Sequence, residues 1–291
     1  MTRMDRETGR VALIGWPVAH SVSPAMHNAA FEALGLDWRY ELLPTEPGRV
    51  AEAVARLRAG DYQGANVTVP HKQAVLPCLD ELTGAAQAMG AANTLVPRGG
   101  RLIGHNTDAD GFVVALLAAG LQPHGAWAAV VGAGGAARAV VYALLGEGAE
   151  KIFLLNRSVE RARALADDLD CRDGGPPRIE VRPLDEGSLV ATAQRAELLV
   201  HATPLGMWPH VDASIWPDDV PLPEHLAVFD LVYNPQETRL LQQAHASGAK
   251  AIGGLEMLVQ QGVLAFQIWT GERAPVGVMR RAARRALAGE R

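Results

Sequence analysis

The chain has only two cysteines in 291 residues, Cys78 and Cys171, and they lie far apart. Their spacing matches neither a zinc site nor a redox pair, and two unpaired thiols suit a reducing cytoplasm. Nine histidines form no His-x-x-x-His pair, so no metal site is expected. Positive charge is thin: 27 Lys and Arg stand against 32 Asp and Glu, for a net charge of −5 with no basic block. That argues against nucleic acid and against anionic membrane surfaces as partners. No apolar run reaches the roughly 18–20 residues that would span a bilayer. The mixed-charge start, Met1-Thr2-Arg3-Met4-Asp5-Arg6-Glu7, carries no signal-peptide pattern. What is present is 48% hydrophobic residues with 30 glycines and 18 prolines, enough for a sizeable core, many turns and two modest domains.

The most informative stretch is Ala129-Val130-Val131-Gly132-Ala133-Gly134-Gly135-Ala136-Ala137-Arg138. A β-branched apolar run breaks into glycines, and an Ala-rich helical pattern begins at once. The spacing Gly132-x-Gly134-x-x-Ala137 is a dinucleotide fingerprint with Ala in its third slot. Gly132 permits the tight turn, Gly134 holds no side chain against a pyrophosphate, and Ala137 lets helix approach strand. Gly135 and Ala136 lie where a helix N-terminus offers unpaired N–H groups and a positive dipole end to phosphate oxygens. Taken alone, the stretch could also be an ordinary glycine-rich strand–helix turn.

Before this turn, residues 11–15 read as a buried strand. Ser23 reads as a helix cap with Pro24 in the first helical position, and Met26, Ala29, Ala30, Ala33 and Leu34 form a helical face. A strand is expected over 36–43, an amphipathic helix over 47–59 with Val50, Val54 and Leu57 inward, a short strand over 64–69 and a helix over 79–89. Residues 94–96 and 101–104 flank Arg98-Gly99-Gly100, a hairpin signal, and 108–119 reads as helix. After the turn, strands are expected over 152–155, 179–181, 197–202 and 226–232, with helices to 145 and over 159–169. That alternation predicts a parallel sheet with helices on both faces. The Pro-rich, Trp-bearing stretch 204–223 is either a lid or an irregular wall. Helices over 255–269 and 276–287 need a surface, which the first domain supplies. The expected division is therefore residues 1–108, with 255–291 packing back on them, and an inserted nucleotide-binding domain over 109–254.

Four polar clusters precede the glycine turn. His20-Ser21-Val22-Ser23-Pro24 sets two hydroxyls at a helix start, fit for a carboxylate or for plain capping. Asn66-Val67-Thr68-Val69-Pro70-His71-Lys72 puts Asn66 and Thr68 on one face, with Lys72 beyond a stiffened turn; a lone lysine is also at home as a solvated charge. Gly90-Ala91-Ala92-Asn93-Thr94 and Gly104-His105-Asn106-Thr107-Asp108 complete the set, Asp108 being a polar ligand or merely the cap of its helix. Gathered in one cleft, hydroxyls, amides, a lysine and an aspartate suit a small polyhydroxylated acid.

These motifs together resemble those of the shikimate dehydrogenase family. The Ser-x-Ser-Pro pattern matches Ser21, Ser23 and Pro24, Asn-Val-Thr-x-Pro-x-Lys matches Asn66 to Lys72, Gly-Ala-x-Asn-Thr matches Gly90 to Thr94, and Asn-Thr-Asp-x-x-Gly matches Asn106 to Gly111. Asn156-Arg157-Ser158 is similar to the family's NADP segment, and the stretches Asp230 to Pro235 and Gly254 to Gln261 match its late motifs. His201-Ala202-Thr203-Pro204 departs from the pattern, which commonly has Asn where His201 stands, so the role of His201 is open. The resemblance covers most of the chain. It implies an α/β protein in two domains, an N-terminal α/β substrate-binding domain and a Rossmann-type doubly wound NADP-binding domain, with the cleft between them. It implies reversible NADP-linked reduction of 3-dehydroshikimate to shikimate, in aromatic amino acid biosynthesis, with Lys72 and Asp108 as the catalytic pair. Ser21, Ser23 and Tyr233 would hold the carboxylate, and Asn66, Thr68, Asn93 and Gln261 the ring hydroxyls. The cofactor residues would be Gly132, Gly134, Gly135, Ala136, Asn156, Arg157, Ser158, Arg161, Thr203 and Gly254. The small-molecule substrate is the expected partner, and a homodimer is left open.

The physical logic agrees. Hydride arriving at a carbonyl carbon leaves negative charge on oxygen, which needs a proton or a cation. Lys72 can supply either, while Asp108 orients it and accepts from a substrate hydroxyl. Cofactor choice can be argued without the family. An NAD enzyme presents Asp or Glu to the ribose about twenty residues past the turn. Here the strand ends Asn156-Arg157-Ser158 with Ser158 as the expected helix cap, and Arg161 sits in that helix's first turn, where a cation opposes the dipole by about 0.3–1 kcal/mol. A 2′-phosphate would reverse that penalty; otherwise Glu160 offsets Arg161 and both face water. Two rival functions remain: a quinate or dual quinate/shikimate dehydrogenase, and a non-catalytic NADP-binding sensor, against which the presence of both Lys72 and Asp108 argues.

Overall fold

Val11, Ala12, Leu13 and Ile14 are all buried, because the strand they form, β1 (Gly9–Gly15), has a partner on each side. In the computed structural model, residues 8–170 and 176–289 are described. Cys171, the start of the Gly/Pro loop after Leu169 and the first seven residues lie outside them. The chain forms two units, Met1–Thr107 with Val259–Arg291, and Asp108–Leu258. Asp108 and residues 255–258 group with the second unit, whereas the sequence reading had them in the first.

In the first unit, β1 is followed by α1 (Ser23–Ala33), β2 (Trp38–Pro44), α2 (Val50–Arg58), β3 (Gly64–Val67), β4 (Glu81–Leu82), α3 (Gly84–Met89), β5 (Thr94–Arg98) and β6 (Arg101–His105). The six strands form one mixed sheet in the order β2-β1-β3-β5-β6-β4, with β1 parallel to both β2 and β3. Val50, Val54 and Leu57 of α2 pack with Ile14, Val67, Leu95 and Leu102 from the sheet. Residues 79–89 are not one helix. Asp80 accepts the Leu102 N–H at 2.7 Å and pairs with Arg58, which draws Glu81 and Leu82 onto β6 as a strand, and the Thr83 side chain then caps the short α3. The Asp80 carboxyl is held down to about 2, first by its Arg58 hydrogen bond and then by the Leu102 N–H. Ser23 does not cap α1. It is the first helical residue, and the Ser21 hydroxyl accepts its N–H at 3.3 Å. Proline fits the second helical position as well as the first, so the helix starts one residue earlier than expected. The buried face of α1 is Met26, His27, Ala30 and Phe31, while Ala33 is exposed.

The second unit opens with α4 (Asp108–Ala118) and continues with β7 (Trp127–Val131), α5 (Gly135–Gly146), β8 (Lys151–Asn156), α6 (Val159–Leu169), β9 (Ile179–Pro183), α7 (Glu186–Ala193), β10 (Leu198–His201), β11 (Ala227–Asp230), α8 (Arg239–Ala246) and β12 (Lys250–Gly253). Its six strands are all parallel, in the order β12-β11-β10-β7-β8-β9. Counted within the unit this is 3-2-1-4-5-6 from the β9 edge, the doubly wound dinucleotide order, with its reversal between β7 and β10. The sequence pattern does not predict helices α7 and α8 or strand β12. Their caps were legible: the Asp185 side chain accepts the Ser188 N–H, and Thr238 accepts the Leu241 N–H. The stretch 204–223 is a wall rather than a lid where it is buried, since Trp216 and Leu222 join the core and the Trp216 indole donates to the Val220 carbonyl at 2.6 Å. The chain ends with α9 (Leu255–Thr270), which begins in the second unit and finishes in the first, and α10 (Val276–Leu287), which packs on α1. On α9, Trp269 donates its indole N–H to the Leu95 carbonyl at 3.1 Å.

Candidate active site

The polar segments 68–72, 91–93 and 105–107 of the first unit are far apart in sequence, and backbone and side-chain hydrogen bonds join them at one end of its sheet. Trp16 N–H donates to the Val69 carbonyl, which sets the loop after β1 beside the loop after β3. Ala92 N–H donates to the Lys72 carbonyl at 2.8 Å, and the Asn106 amide donates to the Ala91 carbonyl at 2.9 Å. Asn93 accepts the Thr107 N–H at 2.8 Å on Oδ1 and donates to the Thr107 hydroxyl at 3.0 Å. Lys72 and Thr107, the residue before Asp108, are therefore both tied to the segment 91–93. Lys72 and Thr68 are partly exposed, and Ser23, Asn93 and Gln261 are buried. Asp108, buried as the first residue of α4, belongs to the second unit, as does the partly exposed Tyr233.

Asn66, expected as a ligand of the ring hydroxyls, makes three hydrogen bonds within the first unit. Its Oδ1 accepts the Tyr40 hydroxyl at 2.9 Å, and its amide N–H groups go to the Asn93 carbonyl and the Thr94 hydroxyl, each at 3.0 Å. Both of its donors are thus used inside the wall. Thr94 closes the polar motif that begins at Gly90, but nothing in the sequence pattern points to Tyr40. They support Asn66 only because β2, β3 and β5 fold into one sheet.

In the second unit, Gly132 closes the turn after β7 at φ +123°, where an L side chain is strained. An added Cβ would also lie 2.9 Å from the Ala202 carbonyl oxygen and 3.1 Å from Thr203 Cγ2, so the turn and the exit of β10 need this glycine between them. Gly134 precedes the first helical residue, Gly135, and a Cβ there would project into open space. That is the cradle a pyrophosphate needs in front of the α5 N-terminus. Ala137 is wholly buried, as close helix–strand packing requires. Gly254 has a packing reason of its own, since a Cβ there would collide with the Leu231 carbonyl oxygen.

At the end of β8, the Asn156 amide donates to the Ser158 carbonyl at 2.8 Å. Ser158 caps α6 by accepting the Arg161 N–H, and its hydroxyl donates to Glu160 at 3.0 Å. The Glu160 carboxyl is held below its usual value, first by the backbone N–H at its own position and then by Ser158. Arg157 and Arg161 are exposed, and among the described residues neither guanidinium forms an ion pair. Two exposed cations thus stand by the strand end where an NAD enzyme would present a carboxylate. His201, whose role was open, ends β10 and hydrogen-bonds to Asp230 and Thr203.

The strand order and the glycine turn define a dinucleotide-binding α/β protein, joined here to a second α/β unit lined with hydroxyls and amides. Three family models match the chain: the shikimate dehydrogenase substrate binding domain over residues 13–95, the shikimate / quinate 5-dehydrogenase over 117–204, and the shikimate 5'-dehydrogenase C-terminal domain over 254–284. The shikimate dehydrogenase (NADP(+)) of Symbiobacterium thermophilum is 48% identical over 98% of this chain and 97% of its own length. That of Moorella thermoacetica is 45% identical over 99% and 96%. The crystal structure of shikimate 5-dehydrogenase from Thermus thermophilus, in complex with NADP(H) and shikimate, superposes with a TM-score of 0.83 at 43% identity, covering 95% of this chain and 99% of that one. The chain belongs to the shikimate dehydrogenase family.

Proposed function

We propose that this chain is an enzyme that reversibly reduces 3-dehydroshikimate to shikimate with NADP as its cofactor. The joining of the 68–72, 91–93 and 105–107 segments at one end of the first sheet carries the reading, because it ties the segment that ends in Lys72 to those that carry Asn93 and Thr107. Family membership supports it, through relatives named for shikimate and NADP(+). Two cysteines, of which Cys78 is a free thiol, support a reducing, cytoplasmic setting.

Residues of the second unit fit the cofactor. Gly134, Gly135 and Ala136 present the α5 N-terminus to a pyrophosphate, and Arg157 and Arg161 offer guanidinium donors to a 2′-phosphate. NADPH, when bound, supplies the hydride. Lys72 meets the charge that develops on the carbonyl oxygen, as cation or as proton donor. Asp108 accepts from a ring hydroxyl. Ser21 and Ser23, at the start of α1, take the carboxylate, and Thr68, Asn93 and Gln261 take hydroxyls. Asn66 acts through Asn93 and Thr94, to which its amide is already bonded.

Steady-state assays with shikimate and quinate, each with NADP⁺ and NAD⁺, test the reading, and shikimate with NADP⁺ is expected to give the highest kcat/KM. Quinate turned over as efficiently would replace the substrate assignment. Lys72→Ala is expected to lower kcat by about two orders of magnitude or more while leaving NADP⁺ affinity unchanged; near-normal turnover would remove Lys72 from the mechanism.

A further inference from the structure

His201 and Asp230 are register partners at the carboxyl ends of β10 and β11, and each is only 1% exposed. His201 Nδ1 lies 2.9 Å from Asp230 Oδ1, and Nε2 lies 2.5 Å from Thr203 Oγ1. Asp230 takes two more donors, the Val232 N–H at 3.0 Å on Oδ1 and the Thr238 hydroxyl at 2.6 Å on Oδ2. A carboxylate only accepts, so the Nδ1 proton points at Asp230. In the neutral ring Nε2 is then an acceptor, and Thr203 must give it the hydroxyl proton. Thr203 Oγ1 is left as an acceptor toward everything else. It takes the Leu205 N–H at 3.3 Å and keeps one lone pair. This same threonine borders the nucleotide turn, with its Cγ2 3.1 Å from the Cβ that Gly132 lacks.

We propose that His201 is a positioning residue for the cofactor. Clamped by Asp230, it fixes both the place and the hydrogen-bonding sense of the Thr203 hydroxyl, so that the remaining lone pair accepts an N–H or O–H of the dinucleotide lying against the glycine turn. The inference rests on the NADP reading above. Asparagine is the conservative replacement, since its amide can donate toward Asp230 and its carbonyl can accept from Thr203.

Calorimetric titration of NADP⁺ into the full chain tests the proposal without turnover. His201→Ala and Thr203→Val are each expected to weaken NADP⁺ about ten-fold, the worth of one polar contact. The double variant should be no weaker than Thr203→Val by more than about two-fold, because both changes remove the same interaction. His201→Asn should recover most of the lost affinity, whereas in turnover His201→Ala and Thr203→Val should raise the KM for NADP⁺ while that for shikimate stays put. Losses that multiply in the double variant, or Thr203→Val binding as tightly as the parent, would overturn the proposal. The Thr203 result decides even if His201→Ala does not fold. A parent chain that fails to bind NADP⁺ would sink the cofactor reading itself, and that is seen before any variant is compared.

Discussion

His27 shows how far one residue can stand from its usual chemistry. It is wholly buried on α1, stacked on Tyr40 at 4.5 Å with 4° between the rings, and among the described residues neither ring nitrogen has a hydrogen-bond partner. Burial pushes its pKa down to about 3, so the folded chain keeps the ring neutral through a range in which the unfolded chain protonates it. The unfolded state then binds more protons, and stability falls as pH drops from the ordinary histidine value near 6.5 toward 3. The slope is about 1.4 kcal/mol for each pH unit. His27→Phe should remove that component, and urea unfolding at pH 7 and pH 4.5 checks it; equal losses in parent and variant would refute the assignment. The composition of α1 showed a helix with a buried face. Nothing in its spacing showed that a histidine would sit in that face as an apolar ring, because the partners come from β2 and α9.

At the scale of elements, the β8–α6 junction was legible because its signals are local. A strand end, a serine cap and two arginines lie within six positions of one another. Arg157→Ala and Arg161→Ala should each weaken NADP⁺ by about ten-fold or more, on the worth of a charge-assisted hydrogen bond, and leave NAD⁺ nearly unchanged. Parallel titrations with both cofactors measure this, and equal weakening of the two would remove the 2′-phosphate from the account. The segment 79–89 was misread for the opposite reason. Its apolar pattern suits a helix, but Asp80 is drawn to the Leu102 N–H and Arg58, partners about twenty residues away. Short elements such as α7 and β12 carry little periodicity, and only their place against neighbouring strands defines them.

At the scale of the whole molecule, the chain leaves its first unit after Thr107 and re-enters it at Val259. The last helices therefore stabilise a sheet made more than 150 residues earlier. Met279 on α10 is wholly buried in that unit, while the second unit has a core of its own built on Val131, Leu155, Leu199 and Phe153. Met279→Ala should cost about 2–5 kcal/mol of stability, read by urea unfolding, with NADP⁺ affinity changed by less than about two-fold. A parallel loss of NADP⁺ affinity would show that the units do not fold as separate cores.

By itself, the sequence determined what local rules control: the glycine turn with its strand and helix, the hairpin around Gly99 and Gly100, the Ser158 cap, and the four polar motifs. Each depends on φ preference, capping or short-range periodicity, which neighbouring residues impose. Only the tertiary structure decided which side chains are spent inside the fold. Asn66 gives both amide protons to the segment 93–94, and Thr203 receives its orientation from a histidine held by Asp230 on the next strand. A buried polar group must find partners wherever the packing brings them. Those partners are set by strand register between distant segments, which no local pattern specifies.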